Sequence, residues 1–167
     1  MRTLKQEILD VENYPMSFEE IKTVLTGRVP GLQLRFLLEK NHNFKNIWKS
    51  KVNICFTLLE VSNLHHWTVF SKKFFYDPLG NSPQFFKTNW PKFYEVVKDL
   101  DWNTYPHEKN SKNIQSCGEH CLVRAVKYHL DNSDFHKWLV SLGIQTDKLV
   151  SVMCYIGLRN AMRKHAA

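Results

Sequence analysis

The sequence predicts an α+β fold in which a small mixed β-sheet is flanked by helices. The central part contains a run of branched and aromatic residues at 53–61, followed by a hairpin-like stretch within 63–80, and both favour strands. Apolar residues at helical spacing lie before and after these runs. With 167 residues, 43% of them hydrophobic, we expect one globular domain over 1–167.

The first predicted element is a short helix over about 18–26. Ser17 is followed three residues later by Glu20, which is the capping-box spacing, and apolar residues follow at helical spacing: Ile21, Val24 and Leu25. We expect Gly27 to end this helix. The next stretch, GRVPGLQLRFLLEKNHN, is apolar on one side and is compatible with either a helix or a strand.

The segment NICFTLLEV (53–61) has no polar face, which predicts a strand buried on both sides. It leads into the stretch NLHHWTVFSKKFFYDPLG, for which we predict a hairpin with a two-residue turn at Ser71-Lys72, so that the numbers of paired residues sum to 143. The segment YDPLGNSP then has turn chemistry, and Pro91 occupies its favoured position early in a further helix.

An irregular polar loop is expected over 103–115, with three helices after it. The first helix begins at Ser116 and Cys117 and has a broad buried face made of Cys121, Leu122, Ala125, Val126 and Leu130. The second follows Asn132–Ser133 and runs to Gly143. The third follows Asp147 and continues through Leu158.

The formal charge of +7 and the pI near 9.2 favour contact with a polyanion, so nonspecific DNA binding through a basic surface is one expectation. The 23 Lys and Arg residues are scattered, which also fits a merely solvated basic surface. The chain has no apolar run of membrane-spanning length and its first ten residues lack a signal-peptide core, so we expect a soluble protein that is neither secreted nor membrane-bound. The irregularly spaced cysteines predict free thiols in a reducing compartment: Cys55, Cys117, Cys121 and Cys154.

The predicted hairpin register places His66 directly opposite Asp77. Opposite residues have Cβ atoms about 4.5–5.5 Å apart, so the carboxylate can accept a hydrogen bond from the imidazole, as an orienting group does for a general base. A turn shifted by one residue at both ends makes the two residues diagonal on the same face, whereas a three-residue loop separates them. The same register puts Trp67 and Tyr76 on the other face of the sheet.

Cys117 adds a nucleophile to this pair. The start of a helix stabilises a thiolate through the helix dipole and unpaired backbone N–H groups, and a nearby protonated histidine adds to this effect. Gly118 allows close approach of a substrate backbone, and the Cys117 N–H is placed to stabilise an oxyanion. The residues therefore predict a His-Asp-Cys site for nucleophilic catalysis, since such triads are defined by geometry and not by chain order.

Structural interpretations apply to the other candidate side chains. Cysteines at apolar positions of helices and strands usually pack in the core, which is the interpretation for Cys55, Cys121 and Cys154. His65 lies opposite Pro78 in the predicted register and is interpreted as structural. Zinc usually needs four ligands at a recognisable spacing, so we rank a metal site below catalysis and predict no metal or cofactor on Cys117, His120 and Cys121.

Three motifs together resemble the adenovirus-protease-like family of cysteine peptidases. They are His-Trp at the start of a strand in HHWTVF, Asp-Pro-Leu-Gly after the next strand in FFYDPLG, and Gln-Ser-Cys-Gly at a helix start in IQSCGEHC. This family includes the adenovirus and African swine fever virus maturation proteases, relatives in virophages and Polinton-type elements, and SUMO-deconjugating enzymes. The resemblance covers about residues 50–130 and implies a cysteine-peptidase fold of the adenovirus-protease type with catalytic residues in His-Asp-Cys order.

The resemblance implies a role for each matching residue. His66 is the general base, Asp77 is the acid that orients it, and Cys117 is the nucleophile. The hairpin is shorter here than in familiar members. The oxyanion-hole glutamine of the family also lies further upstream of the cysteine than Gln115 does. We predict that Gln115 takes that role, with Asn113 and Ser111 as alternatives.

The implied activity is that of a thiol-dependent endopeptidase that forms an acyl-enzyme. The small chain favours a viral maturation protease, of a virophage or a related DNA virus, that cleaves capsid or core precursors near small residues such as glycine, in the virion and the host-cell cytoplasm. A protease that removes a ubiquitin-like modifier is an alternative, and a non-catalytic DNA- or capsid-binding protein is another. The oligomeric state is not predicted.

Overall fold

A computed structural model describes residues 3, 17–28, 34–38, 54–61, 64–108, 116–143 and 146–166 of this chain. The predicted α+β class is confirmed, with a small mixed sheet and helices packed around it. The strands are β1 (Leu34–Leu38), β2 (Ile54–Val61), β3 (Leu64–Phe70), β4 (Phe74–Tyr76) and β5 (Asp101–Trp102). The α-helices are α1 (Phe18–Arg28), α2 (Pro91–Val97), α3 (Cys117–Val126), α4 (Asn132–Ser141) and α5 (Thr146–Ala166), and a 3₁₀ helix spans Pro83–Phe86.

The predicted capping box begins α1. The Glu20 backbone N–H donates to Ser17 Oγ at 3.2 Å, and the Ser17 backbone N–H donates to Glu20 Oε1 at 3.2 Å. These bonds satisfy groups that the first helical turn leaves without intrahelical partners. Gly27 does not end the helix, which continues to Arg28, because a glycine inside a helix costs only about 1 kcal/mol relative to alanine.

The sheet has the strand order β1-β2-β3-β4-β5. The pairs β1–β2 and β4–β5 are parallel, whereas β2–β3 and β3–β4 are antiparallel. The stretch that is compatible with a helix or a strand therefore forms an edge strand over Leu34–Leu38. Four consecutive residues of β2 are fully buried, which confirms a strand covered on both faces: Ile54, Cys55, Phe56 and Thr57.

Two hydrophobic clusters account for this burial. Trp67 and Tyr76 belong to the cluster that contains side chains of α1, α3, α4 and α5, so their predicted common face is confirmed. Phe70 and Phe75 belong to the other cluster, which contains side chains of α2 and the 3₁₀ helix. This arrangement packs α3 against β3.

The predicted register of the hairpin is wrong by one residue at each end. Val69 pairs with Tyr76 and Phe70 with Phe75, and the Ser71 N–H donates to the Phe74 carbonyl at 2.8 Å, so the turn residues are 72 and 73. Ser71 Oγ accepts from the N–H groups of residues 73 and 74 at 3.0 and 3.3 Å, which stabilises the turn one position later than predicted. Because the loop keeps two residues, the parity of the two faces is preserved.

The predicted position of His65 opposite Pro78 is also wrong, because the β3–β4 register is shifted. On its other side, His65 pairs with Glu60 of β2. The described part of the predicted polar loop, residues 103–108, contains no helix or strand. The two-residue strand β5 and the four-residue 3₁₀ helix were not predicted, because such short elements have no periodicity of their own.

The last three helices are confirmed with changed boundaries. Helix α3 begins at Cys117 with Ser116 as its N-cap and ends before Leu130, which is nevertheless partly buried against the core. Helix α4 begins at Asn132, two residues earlier than predicted, because the Asp131 carboxylate accepts the Asp134 N–H at 2.7 Å. Helix α5 begins at Thr146 and includes Asp147 in its first turn.

No single helix of the described segments has both the length and the apolar composition that a membrane span requires. The bent pair Asn132–Ser141 and Thr146–Asn160, which turns by 90°, has both only when its two members are taken together.

Candidate active site

Three elements bring His66, Asp77 and Cys117 together. His66 lies near the start of β3, Asp77 directly follows β4, and Cys117 is the first residue of α3. His66 Nε2 lies 2.6 Å from Asp77 Oδ1, and the side chains are 23% and 0% exposed. Direct opposition was predicted, but the two residues are diagonal in the observed register. The imidazole side chain is long enough to reach the carboxylate across this diagonal.

The turn after β4 holds the Asp77 carboxylate. Asp77 Oδ1 accepts the Leu79 N–H at 3.0 Å and Oδ2 accepts the Asn81 N–H at 3.2 Å. The Gly80 N–H donates to the Asp77 carbonyl at 2.8 Å, and Gly80 has a φ of 75°, which favours glycine. The Asp-Pro-Leu-Gly sequence therefore provides a turn that fixes both oxygens of the acid.

Asn103 holds the backbone of the same aspartate. Its Oδ1 accepts the Asp77 N–H at 2.9 Å, and its Nδ2 donates to the Asp77 carbonyl at 2.6 Å. Asn103 directly follows β5 and is 3% exposed. Sequence reasoning missed this residue, since nothing in the local pattern distinguishes it from the other polar residues of the loop.

Glu108 is a second residue that sequence reasoning missed. One ligand-type atom each from His66, Glu108 and Cys117 lies within 4.8 Å of the other two, and all three residues are half-buried. Because His66 Nε2 is bonded to Asp77, Nδ1 is the ring nitrogen left for the thiol. Glu108 is placed here by its backbone N–H, which donates to the Pro78 carbonyl at 3.0 Å.

The electrostatics favour a protonated imidazole. Burial alone lowers the pKa of His66, but the hydrogen bond to Asp77 and the interaction with Cys117 raise it more, to about 10. Burial raises the pKa of Glu108 to about 7; the positive charge of His66 opposes this shift, and Asp147 and Asp77 add to it. The site therefore suits an imidazolium beside an anionic partner at neutral pH.

The start of α3 is anchored without a side-chain cap from Ser116. Ser116 Oγ donates to Asp147 Oδ1 at 2.7 Å, and His120 Nε2 lies 2.9 Å from the same oxygen. Ser116 makes no capping hydrogen bond to the helix. The first N–H groups of a helix have no intrahelical acceptor, so the backbone at Cys117 and Gly118 suits an anion.

The other predicted residues have different outcomes. Gln115, Asn113 and Ser111 lie outside the described residues, so the oxyanion-hole role stays a prediction. None of the four cysteines forms a disulfide, and the expected burial of three of them is confirmed: Cys55, Cys121 and Cys154. The Cys121 thiol donates to the Trp67 carbonyl and His120 contacts Asp147, so both are engaged outside the site.

The geometry suits nucleophilic catalysis. It combines a thiol at a helix start, an imidazole with one nitrogen held by a buried carboxylate, and helix N–H groups without a cap from Ser116, which together suit acyl transfer. Searches of protein-family models and of curated proteins find no match to this chain.

Proposed function

We propose that this chain is a cysteine endopeptidase of the adenovirus-protease type that cleaves capsid or other structural precursor proteins during virion maturation. One observation carries the proposal of an enzyme: His66 is bonded to Asp77 at 2.6 Å while Cys117, at the start of α3, has its sulfur within 4.8 Å of the imidazole. The viral substrate class rests on the sequence resemblance.

In the proposed reaction, His66 Nδ1 takes the proton of the Cys117 thiol, and the thiolate attacks the carbonyl carbon of the scissile peptide bond. Asp77 keeps Nε2 protonated and stabilises the imidazolium. The imidazolium then gives its Nδ1 proton to the leaving amine as the carbon–nitrogen bond breaks. Water hydrolyses the resulting thioester, with His66 acting as base, and restores the free thiol.

The start of α3 supplies the oxyanion site in this proposal. The Cys117 N–H lies at the positive end of the helix dipole, and Ser116 does not cap that end because its hydroxyl donates to Asp147. Gly118, which is buried, places no side chain at this position. Gln115 is the proposed side-chain donor.

The first test is alkylation of the native chain at about pH 6, with the modified cysteine located by peptide mass, because the thiolate fraction controls the rate. We expect Cys117 to react at least about tenfold faster than the same cysteine in the unfolded chain, and His66→Ala to abolish this advantage. The three buried cysteines are internal controls. A Cys117 that reacts no faster than an unfolded thiol, with or without His66, contradicts the proposed site.

The second test identifies the substrate class. A capsid precursor and a SUMO or ubiquitin conjugate are each incubated with the wild type and with Cys117→Ala. A maturation protease is supported if the wild type cleaves only the precursor, near small residues such as glycine, and Cys117→Ala does not cleave it. Cleavage of the conjugate alone supports the deconjugating alternative. Salt-dependent DNA binding without Cys117 reactivity supports a non-catalytic protein.

A further inference from the structure

We propose that His66, Glu108 and Cys117 form a binding site for Zn²⁺, and that the bound ion reversibly blocks the nucleophile and its base. Their ligand-type atoms lie within 4.8 Å of one another, and the partial exposure of all three residues gives an ion access from solvent. Metal binding does not depend on the proposed peptidase function. The inhibitory consequence rests on the proposed peptidase function.

The donor set selects the class of metal. A thiolate, an imidazole nitrogen and a carboxylate oxygen are the ligand types of zinc, and three protein ligands leave a fourth position for water. Bonds of about 2.0–2.3 Å in a tetrahedral arrangement put neighbouring donors about 3 to 4 Å apart, so the three side chains need to close by only about 1 Å. Mg²⁺ and Ca²⁺ prefer oxygen ligands and do not suit this set.

Glu108 gives independent support for a cationic ligand. Its carboxylate has a backbone hydrogen bond with Ser116, but its Oε2 atom is buried and has no hydrogen-bond partner among the described residues. The proposed peptidase reaction makes no use of this carboxylate. A buried oxygen without a partner is costly, and a cation shared with the neighbouring thiolate and imidazole offsets that cost.

Asp77 provides the outer contact that zinc-bound histidines usually have. With Nε2 held by Asp77, the imidazole is oriented with Nδ1 as its metal ligand. Two backbone N–H groups, from Leu79 and Asn81, hold the carboxylate in turn. A carboxylate–histidine–metal arrangement is therefore already assembled.

The proposed binding step balances without redox chemistry. Zn²⁺ forms bonds to Cys117 Sγ, His66 Nδ1 and a Glu108 oxygen, and water completes the coordination. The single proton shared by the thiol and Nδ1, with any proton on Glu108, is released to solvent. The proton on Nε2 stays in the hydrogen bond to Asp77. With both reacting atoms coordinated, neither proton transfer nor attack on a carbonyl can occur until the metal leaves.

The test uses the full-length, reduced, metal-free protein and Co²⁺ as a spectroscopic probe of the zinc site. We expect about one Co²⁺ per chain, with a thiolate-to-metal charge-transfer band and the intense visible bands of tetrahedral coordination, both removed by added Zn²⁺ and unaffected by Mg²⁺. Cys117→Ala should abolish the charge-transfer band. Absence of the band in the wild type, or its persistence in Cys117→Ala, overturns the proposal.

Variants assign the remaining ligands. Glu108→Gln should weaken Zn²⁺ binding by at least about tenfold, and Asp77→Asn by about 10- to 100-fold, the usual effect of losing an outer-shell partner. Glu95→Gln is the matched control, because Glu95 is exposed on α2 and pairs with Lys98. If Glu108→Gln is not folded, Glu108→Asp keeps the charge but shortens the side chain and should also weaken binding. Zn²⁺ affinity equal to that of Glu95→Gln in a folded Glu108 variant overturns the role of Glu108.

Failure of this proposal and failure of the peptidase proposal give different results. Zn²⁺ should protect Cys117 from alkylation and a chelator should restore the reaction, and neither measurement needs a substrate. A positive Co²⁺ spectrum with a slow thiol supports the metal site and contradicts the peptidase. A fast-reacting Cys117 thiol without the Co²⁺ spectrum supports the peptidase and contradicts the metal site.

Discussion

His66 Nε2 and Asp77 Oδ1 lie 2.6 Å apart although the two residues are diagonal, not opposite, in the antiparallel pair β3–β4. The contact depends on the turn that follows β4, because the backbone N–H groups of Leu79 and Asn81 hold the carboxylate in place. The orientation of the imidazole is therefore set by a short turn and not by strand pairing alone.

Replacing Asp77 with asparagine should lower kcat/KM for a cleaved precursor by about 10- to 100-fold, less than the loss of a general base itself can cost. The amide removes the charge that stabilises the imidazolium and allows the wrong imidazole tautomer. Steady-state kinetics of Asp77→Asn measure the effect. The exposed Asp99 supplies the control variant Asp99→Asn, and equal kcat/KM in the two variants contradicts the role of Asp77.

Asn103→Ala should lower the free energy of unfolding by about 1–3 kcal/mol, because the buried N–H and carbonyl of Asp77 lose their partners. It should also slow alkylation of Cys117, since Asp77 then holds His66 less firmly. Urea denaturation and the alkylation rate measure the two effects. Asn89, which is exposed, gives the control Asn89→Ala. A destabilised variant with unchanged alkylation would limit Asn103 to a structural role.

Gly80→Ala should destabilise the fold more than Gly143→Ala. Both glycines have positive φ, 75° and 70°, so alanine is strained by about 1–2 kcal/mol at either position. Only at Gly80 would the added Cβ also lie 2.9 Å from the backbone nitrogen of Pro106, whereas no atom of the described residues lies within 4 Å of a Cβ at Gly143. Thermal or urea unfolding of both variants compares them directly, and equal losses contradict the close approach at Gly80.

The fold should lose stability below about pH 6.5 because of His120. Burial lowers the pKa of His120 below its usual 6.5; the hydrogen bond and charge of Asp147 only partly oppose this shift, and the neutral ring of His107 stacks at 6.4 Å. The unfolded chain therefore binds a proton that the folded chain does not. This contribution to stability is fully present above pH 6.5 and is lost as the pH falls.

Urea unfolding at several pH values tests this sign. His120→Asn should reduce the slope of stability against pH by at most about 1.4 kcal/mol per pH unit, the value for one proton. His129, which is exposed, supplies the control His129→Asn, which should keep the wild-type slope. An unchanged slope in His120→Asn means that the acid sensitivity comes from other groups.

Features that depend on neighbours in the chain were predictable from the sequence. The capping box of Ser17 and Glu20 and the turn chemistry after Asp77 both act within four residues, so their residue types predict their geometry. The hairpin turn shows the limit of this reasoning. The Ser71 hydroxyl stabilises a turn at residues 72 and 73, one position later than predicted. The apolar pattern of the strands does not distinguish these two turn positions.

Some residues of the candidate site were likewise predictable from local sequence, whereas others depend on tertiary contacts. The sequence alone indicated His66, Asp77 and Cys117. Their predicted positions are a strand start, a turn and a helix start, respectively, and these positions are recognisable from local sequence. Only the tertiary structure decided that Asn103 holds Asp77 and that Glu108 lies beside the thiol and imidazole. These contacts join residues distant in sequence, and packing of the two cores against the sheet determines them. Local sequence periodicity contains no record of that packing.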